Sequence, residues 1–180
     1  MFDSPYEPRL ANKRQAAEGE PFLIEHKFTF SCKKNHQYII DIEQYEYNFF
    51  VGKFYLKNHT NSSKKFQLLT ASNDASRIIA TCTKTLLNFY EENPYASFGF
   101  MGAILEGEAL ENTKRFRVYR RYIESIVSPV HFDHKVYLEK SCYLLINRLT
   151  ASNIPDIVER IEKMFDEIYQ FHDSDSVSNE

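Results

Sequence analysis

The chain has no tryptophan, only 5 glycines among 180 residues, and no long apolar run. The missing run excludes a membrane-spanning helix, which needs about 20 consecutive apolar residues. Scarce glycine excludes a collagen-like chain, and Gly99-Phe-Met-Gly102 lacks the further glycines and the Lys-Ser/Thr pair of a phosphate loop. Cysteine is sparse too: Cys32, Cys82 and Cys142 are isolated and odd in number. That spacing leaves no disulfide framework and no Cys-x-x-Cys metal or redox motif. Cys82 falls on the apolar stripe of an expected helix, where a buried free thiol is ordinary. A Gly-x-Ser-x-Gly elbow and a His-Glu-x-x-His helix are both missing, so no motif assigns a reaction, a cofactor or a metal. Nor is there an excess of positive charge. With 25 acidic against 22 basic residues, the balance argues against coating nucleic acid by bulk charge. The segment Met1-Phe-Asp-Ser-Pro-Tyr-Glu-Pro8 lacks the basic start and apolar stretch of a signal peptide, so a cytoplasmic protein with no membrane partner is expected.

What is present is aromatic. Tyr and Phe number 12 and 15, enough to build one sizeable core, and the length suits one domain. Residues 1–20 are polar and interrupted by Pro5 and Pro8, which predicts a flexible N-terminal arm. Residues 173–180 have the composition of a disordered tail. Between them, 21–172 is expected to form a single α+β domain.

Alternation with period two marks the first half as strands. Phe22, Ile24, His26, Phe28 and Phe30 share one face, with Glu25 and Lys27 on the other. Tyr38, Ile40 and Ile42 repeat the pattern against Asp41 and Glu43. From Tyr45 to Leu56 aromatics occupy both faces, so that run is expected to lie centrally. A short strand is expected at 66–69. The period then lengthens to 3.6: Ser72 is a candidate cap, and Ile78, Ile79, Cys82, Leu86 and Phe89 line one face of a helix that Pro94 ends. A strand is expected at 95–101, a helix at 112–127, strands at 131–138 and 142–146, and a helix opened by Pro155. Strand runs each followed by a helix indicate an antiparallel sheet with helices packed on it. The two halves repeat this order loosely, which is similar to the β-meander-plus-helix repeats of the PUR and Whirly single-strand-binding folds.

One segment concentrates charge. Between Lys114 and Arg121 lie five basic residues and no acidic one: Lys114, Arg115, Arg117, Arg120 and Arg121, interleaved with Tyr119 and followed by Tyr122. On a helix, Lys114, Arg117 and Arg121 stack on one side while Phe116, Tyr119 and Ile123 face the core. Guanidinium groups bind phosphate bidentately and tyrosines stack on bases, so these seven residues are the candidate nucleic-acid-binding site. The competing reading is a solvated face whose arginines pair with Glu106, Glu108, Glu111 and Glu124.

Phe100-Met101-Gly102, then Arg115-Phe-Arg-Val-Tyr119, then the strand near 131–138, resembles the uncharacterised bacterial family DUF6934. Its members show a strand ending in Phe-x-Gly and a helix opening on an Arg-Thr-Arg-Leu-Tyr-like string. The resemblance covers about residues 20–170 in element order. Two features depart from it: the interval 103–114 is longer, and Phe116 stands where the family has a small hydroxyl residue. It implies a bacterial cytosolic protein with Gly102, Arg115, Arg117 and Tyr119 as matched positions, and brings no assigned activity.

Other groups carry less. His26 and His134 sit on apolar strand faces, where hydrogen-bonded core histidines are common. Placed side by side with Asp41 or Asp133 they would make a metal or acid–base site. His131 and His134 point to opposite faces of a strand and chelate poorly. Glu106 and Glu108 suit a polar turn, and Tyr45, Tyr47 and Phe49 suit burial.

The expected function is therefore binding of RNA or single-stranded nucleic acid, in a toxin–antitoxin or antiphage-defence setting. One alternative is a protein–protein module or homodimer engaging an acidic partner. A further one is a metal-independent nuclease using an arginine with His131 or His134 as base.

Overall fold

The computed structural model describes residues 4–66, 74–103 and 107–169. Strands β1 (Arg9–Gln15), β2 (Ile24–Ser31), β3 (Gln37–Tyr45) and β4 (Phe49–Leu56) form an antiparallel meander. Helices α1 (Ala75–Leu87) and α2 (Phe89–Glu92) follow, then β5 (Ser97–Met101) and α3 (Lys114–Ile126). Strands β6 (Phe132–Tyr137) and β7 (Cys142–Asn147) precede α4 (Arg148–Asn153) and α5 (Ile157–Tyr169). All seven strands join one sheet in the order β1-β2-β3-β4-β5-β7-β6. Every neighbouring pair is antiparallel except β4 and β5, which run parallel. The α+β class with a mostly antiparallel sheet thus follows from the alternation.

Two cores flank the sheet. On one face Tyr38, Ile40, Ile42, Phe50, Phe98 and Leu145 meet Ile78, Cys82 and Leu86 of α1 and Phe116, Tyr119 and Ile123 of α3. On the other, Phe49, Val51, Leu144 and Ile146 meet Ile157, Ile161 and Phe165 of α5. The central position of β4 explains its apolar residues on both sides. The helices that follow the two strand runs therefore lie on opposite faces of the sheet. Each buried Phe or Ile contributes about 1.5–3 kcal/mol of transfer free energy, which makes the two layers the main stabilising term.

Beyond α5 the second face carries charge, yet Glu25, Asp41 and Glu43 are buried. Burial of carboxylates demands partners. Here Arg14 pairs with Glu25 at 2.9 Å, Lys27 with Asp41, and Lys53 with Glu43 at 2.7 Å. The Tyr45 hydroxyl also donates to Glu43 at 2.5 Å.

Residues 9–15 correct the expected flexible arm: they form the edge strand β1, in register with β2 from Arg9↔Thr29 to Gln15↔Ile24. Tyr6 is locked as well. Its ring stacks on Phe30 at 5.5 Å and lies under the Arg77 guanidinium, while its hydroxyl donates to Asp74 and accepts from the Lys33 backbone N–H. The segment is polar because a charged edge strand discourages pairing with another sheet, not because it lacks structure. Most of the short strand expected at 66–69, the Ser72 cap and the 173–180 tail lie outside the described residues. All three cysteines are free and buried.

Candidate functional site

Helix α3 begins where Thr113 caps it, accepting from the Phe116 N–H at 3.3 Å. Glu108 accepts from the Lys114 N–H at 2.6 Å, placing a carboxylate at the positive end of the helix dipole. Gly102, at the end of β5, faces this first turn. A Cβ there would stand 2.3 Å from Thr113 Oγ1 and 2.5 Å from Phe116 Cβ, so only glycine allows α3 to approach the sheet this closely.

The structure divides the seven candidate residues. Lys114, Arg117 and Arg121 are exposed, three and four residues apart along one side of α3. Arg117 donates to the Asn112 carbonyl at 2.6 Å, which holds its guanidinium at the outer surface. Arg120 is half-buried and pairs with Glu124 at 2.8 Å. Among the described residues, Lys114, Arg117 and Arg121 form no ion pair with a carboxylate, so the competing self-paired face accounts for Arg120 alone. Glu106 lies outside the described residues.

Arg115, Tyr119 and Tyr122 are elsewhere: each is buried, at 6%, 5% and 7% exposure. This corrects the expected row of arginines interleaved with stacking rings. Tyr119 packs at 6.3 Å from Phe54 and 6.1 Å from Phe100, and burial raises its hydroxyl pKa well above the ordinary value. Neither tyrosine is placed to stack on a base, because both rings are buried, Tyr119 against the sheet.

Arg115 looks into a crevice that sequence reasoning did not anticipate. The parallel pair β4–β5 is bonded only from Phe49↔Ser97 to Val51↔Gly99. Past that point β4 stays with β3 up to Tyr38↔Leu56, and β5 stays with β7 up to Met101↔Cys142, so the two strands separate. A crevice of about 220 Å³ opens in the split, at the carboxyl ends of the parallel pair. Strand β4 supplies Lys53 and Phe54 to its wall, and the end of β5 supplies Met101 and Ala103. Arg115 and Tyr119 reach it from α3, Tyr169 from α5 and Phe66 from the segment after β4.

The electrostatics of this wall are unusual. Arg115 donates to the Phe66 carbonyl and lies 5.3 Å from the Phe54 ring centre. Burial in these surroundings lowers its pKa from the ordinary arginine value. Lys53 approaches the Tyr169 ring at 5.4 Å. Burial pulls Lys53 down, but Tyr169 and Glu43 together leave its pKa raised. One signal was available in the sequence: Lys53 interrupts the apolar run from Phe49 to Leu56.

The histidines do not meet. His26 lies on β2, edge-on to Phe89 at 4.9 Å, and His134 on β6 at the far edge of the sheet. His134 Nδ1 is 2.7 Å from the Tyr143 hydroxyl. Burial is the largest cause that lowers both histidines below the ordinary value of 6.5. Among the described residues no cluster of His, Cys, Asp and Glu could hold a metal ion. No helix among them is long and apolar enough to cross a membrane. Compared with family models, curated proteins and solved structures, the chain matches none.

Proposed function

We propose that the protein binds RNA or single-stranded nucleic acid through the sugar–phosphate backbone, using Lys114, Arg117 and Arg121. The observation that carries this is the row of three exposed cations on one side of α3, without a carboxylate partner among the described residues. Arg120, tied to Glu124, borders that row. With Tyr119 and Tyr122 buried, α3 offers phosphate contacts through this row and neither of its candidate tyrosines for base stacking. Binding through phosphates alone is indifferent to sequence and sensitive to salt.

Three phosphate contacts on a single strand give a slope of about −2 in log affinity against log salt. Affinity for a fluorescent single-stranded RNA is therefore expected to fall about tenfold or more between 50 and 200 mM salt, read by anisotropy. Arg117→Glu combined with Arg121→Glu is expected to abolish the shift and leave the circular dichroism spectrum unchanged. Binding that ignores salt, or survives the double variant, sinks the proposal. An acidic protein as the true partner would show as salt-dependent capture of an acidic polypeptide with no RNA shift.

A further inference from the structure

We infer that the outer edge of β6 is an interaction surface for a second copy of this chain, which adds its own β6 antiparallel and joins the two sheets about a two-fold axis at His134. The inference uses no residue of the cationic row on α3 and stands without nucleic-acid binding. Four observations carry it.

The first is the backbone. Strand β6 ends the sheet, next to β7. Its register with β7 runs unbroken from Phe132↔Asn147 to Tyr137↔Cys142, and the Arg148 N–H bonds the His131 carbonyl at 3.0 Å. Antiparallel bonding alternates, so the N–H and C=O groups of Phe132, His134 and Val136 point away from β7. Among the described residues these outward groups meet no hydrogen-bond partner.

The second is the contrast between the two edges of the sheet. At the opposite edge β1 is bulged between Leu10 and Asn12 and carries Arg9, Lys13 and Arg14. Bulges and charges keep an edge from pairing with another sheet. Strand β6 has no bulge, and its Lys135 is neutralised by Asp133 at 3.1 Å. Val136 is 37% exposed, and Val130 and Leu138, which flank the strand, are 71% and 39% exposed.

The third is the charge pattern. With the axis at His134, Asp133 of each copy faces Lys135 of the other, Phe132 faces Val136, and Val130 faces Leu138. Moving the axis to Asp133 sets two aspartates against each other, and moving it to Lys135 sets two lysines against each other. Opposite charges directly across a pair of strands stabilise it and like charges destabilise it, so the pattern selects the His134 register.

The fourth is the residue on the axis. His134 would face its own copy, where two imidazolium ions would repel. Its pKa lies below 6.5, with burial as the largest cause, and its Nδ1 is engaged by the Tyr143 hydroxyl at 2.7 Å. At neutral pH two uncharged rings meet there.

The test is sedimentation equilibrium of the full chain in buffer free of nucleic acid. At about 50 μM, well above a micromolar Kd, the parent is expected to show twice the chain mass. Asp133→Lys and Lys135→Asp each set like charges opposite one another, and each is expected to weaken self-association about tenfold or more. Mixed in equal amounts, the two variants are expected to recover the dimer, because each supplies the charge that the other lacks. Mixing would not repair a folding defect. Val136→Pro removes an outward N–H, which an edge strand tolerates, and is expected to give a monomer with an unchanged circular dichroism spectrum. A monomeric parent, single variants that associate as the parent does, a mixture that stays monomeric, or a dimeric Val136→Pro variant would each overturn the inference.

Discussion

Arg115 and Arg117 stand two residues apart on α3 and occupy different media. Arg117 reaches water and is steadied by the Asn112 carbonyl, whereas Arg115 is 6% exposed, over the Phe54 ring and bonded to the Phe66 carbonyl. A helix turns about 100° per residue, so positions i and i+2 fall on nearly opposite sides. The same side chain thus becomes a screened surface charge in one place and a desolvated cation on the wall of a crevice in the other. A run of arginines in a sequence is therefore two different chemical objects once it is wound into a helix against a sheet.

The sharpest way to break this contrast is to reverse each charge separately. Arg115→Glu places a carboxylate among apolar side chains and is expected to destabilise the fold by about 3 kcal/mol or more. Arg117→Glu is expected to stay within about 0.5 kcal/mol of the parent, as solvated surface substitutions do. Urea unfolding of both variants measures the difference; equal losses would mean that the two arginines share one environment.

A smaller effect is expected from Gly102→Ala. The new methyl would collide with Thr113 and Phe116, forcing the first turn of α3 away from β5. Overpacking of this kind costs about 1–3 kcal/mol. Because the displacement acts on the sheet side, salt-dependent RNA binding by the exposed row is expected to persist. Loss of RNA binding together with stability would show that the two sides of α3 are not independent.

The smallest expected effect is Thr113→Ala, which removes the cap on the Phe116 N–H and costs about 1 kcal/mol in a thermal melt. Thr113→Ser is expected to restore most of it. No loss in the alanine variant would indicate that Glu108, bonded to the Lys114 N–H, caps the helix alone.

Much of the fold was legible in the residues. Alternation placed His26, Phe28 and Phe30 on one face of β2 and marked the run ending at Leu56 as central, because local periodicity reflects which side of a strand is dry. The outer row of α3 was legible for the same reason: spacings of three and four select one side of any helix. The edge strand β1 was not, since an edge position rewards charge, and charge in sequence looks like an arm. Nor was the burial of Glu25, Asp41 and Glu43, which depends on partners brought from other strands.

By itself, then, the sequence determined the antiparallel α+β class, the two periods and the three cations that face outward from α3. Each of these is a property of neighbours within a few turns or strands. Only the tertiary structure decided that β5 pairs in parallel with β4 and then leaves it, that Gly102 lets α3 settle onto the sheet, and that Arg115 ends buried over the Phe54 ring while Arg117 stays exposed. The reason is chain separation: β4, α3 and α5 are joined through long intervening segments, and no local pattern encodes which of their side chains will share a crevice.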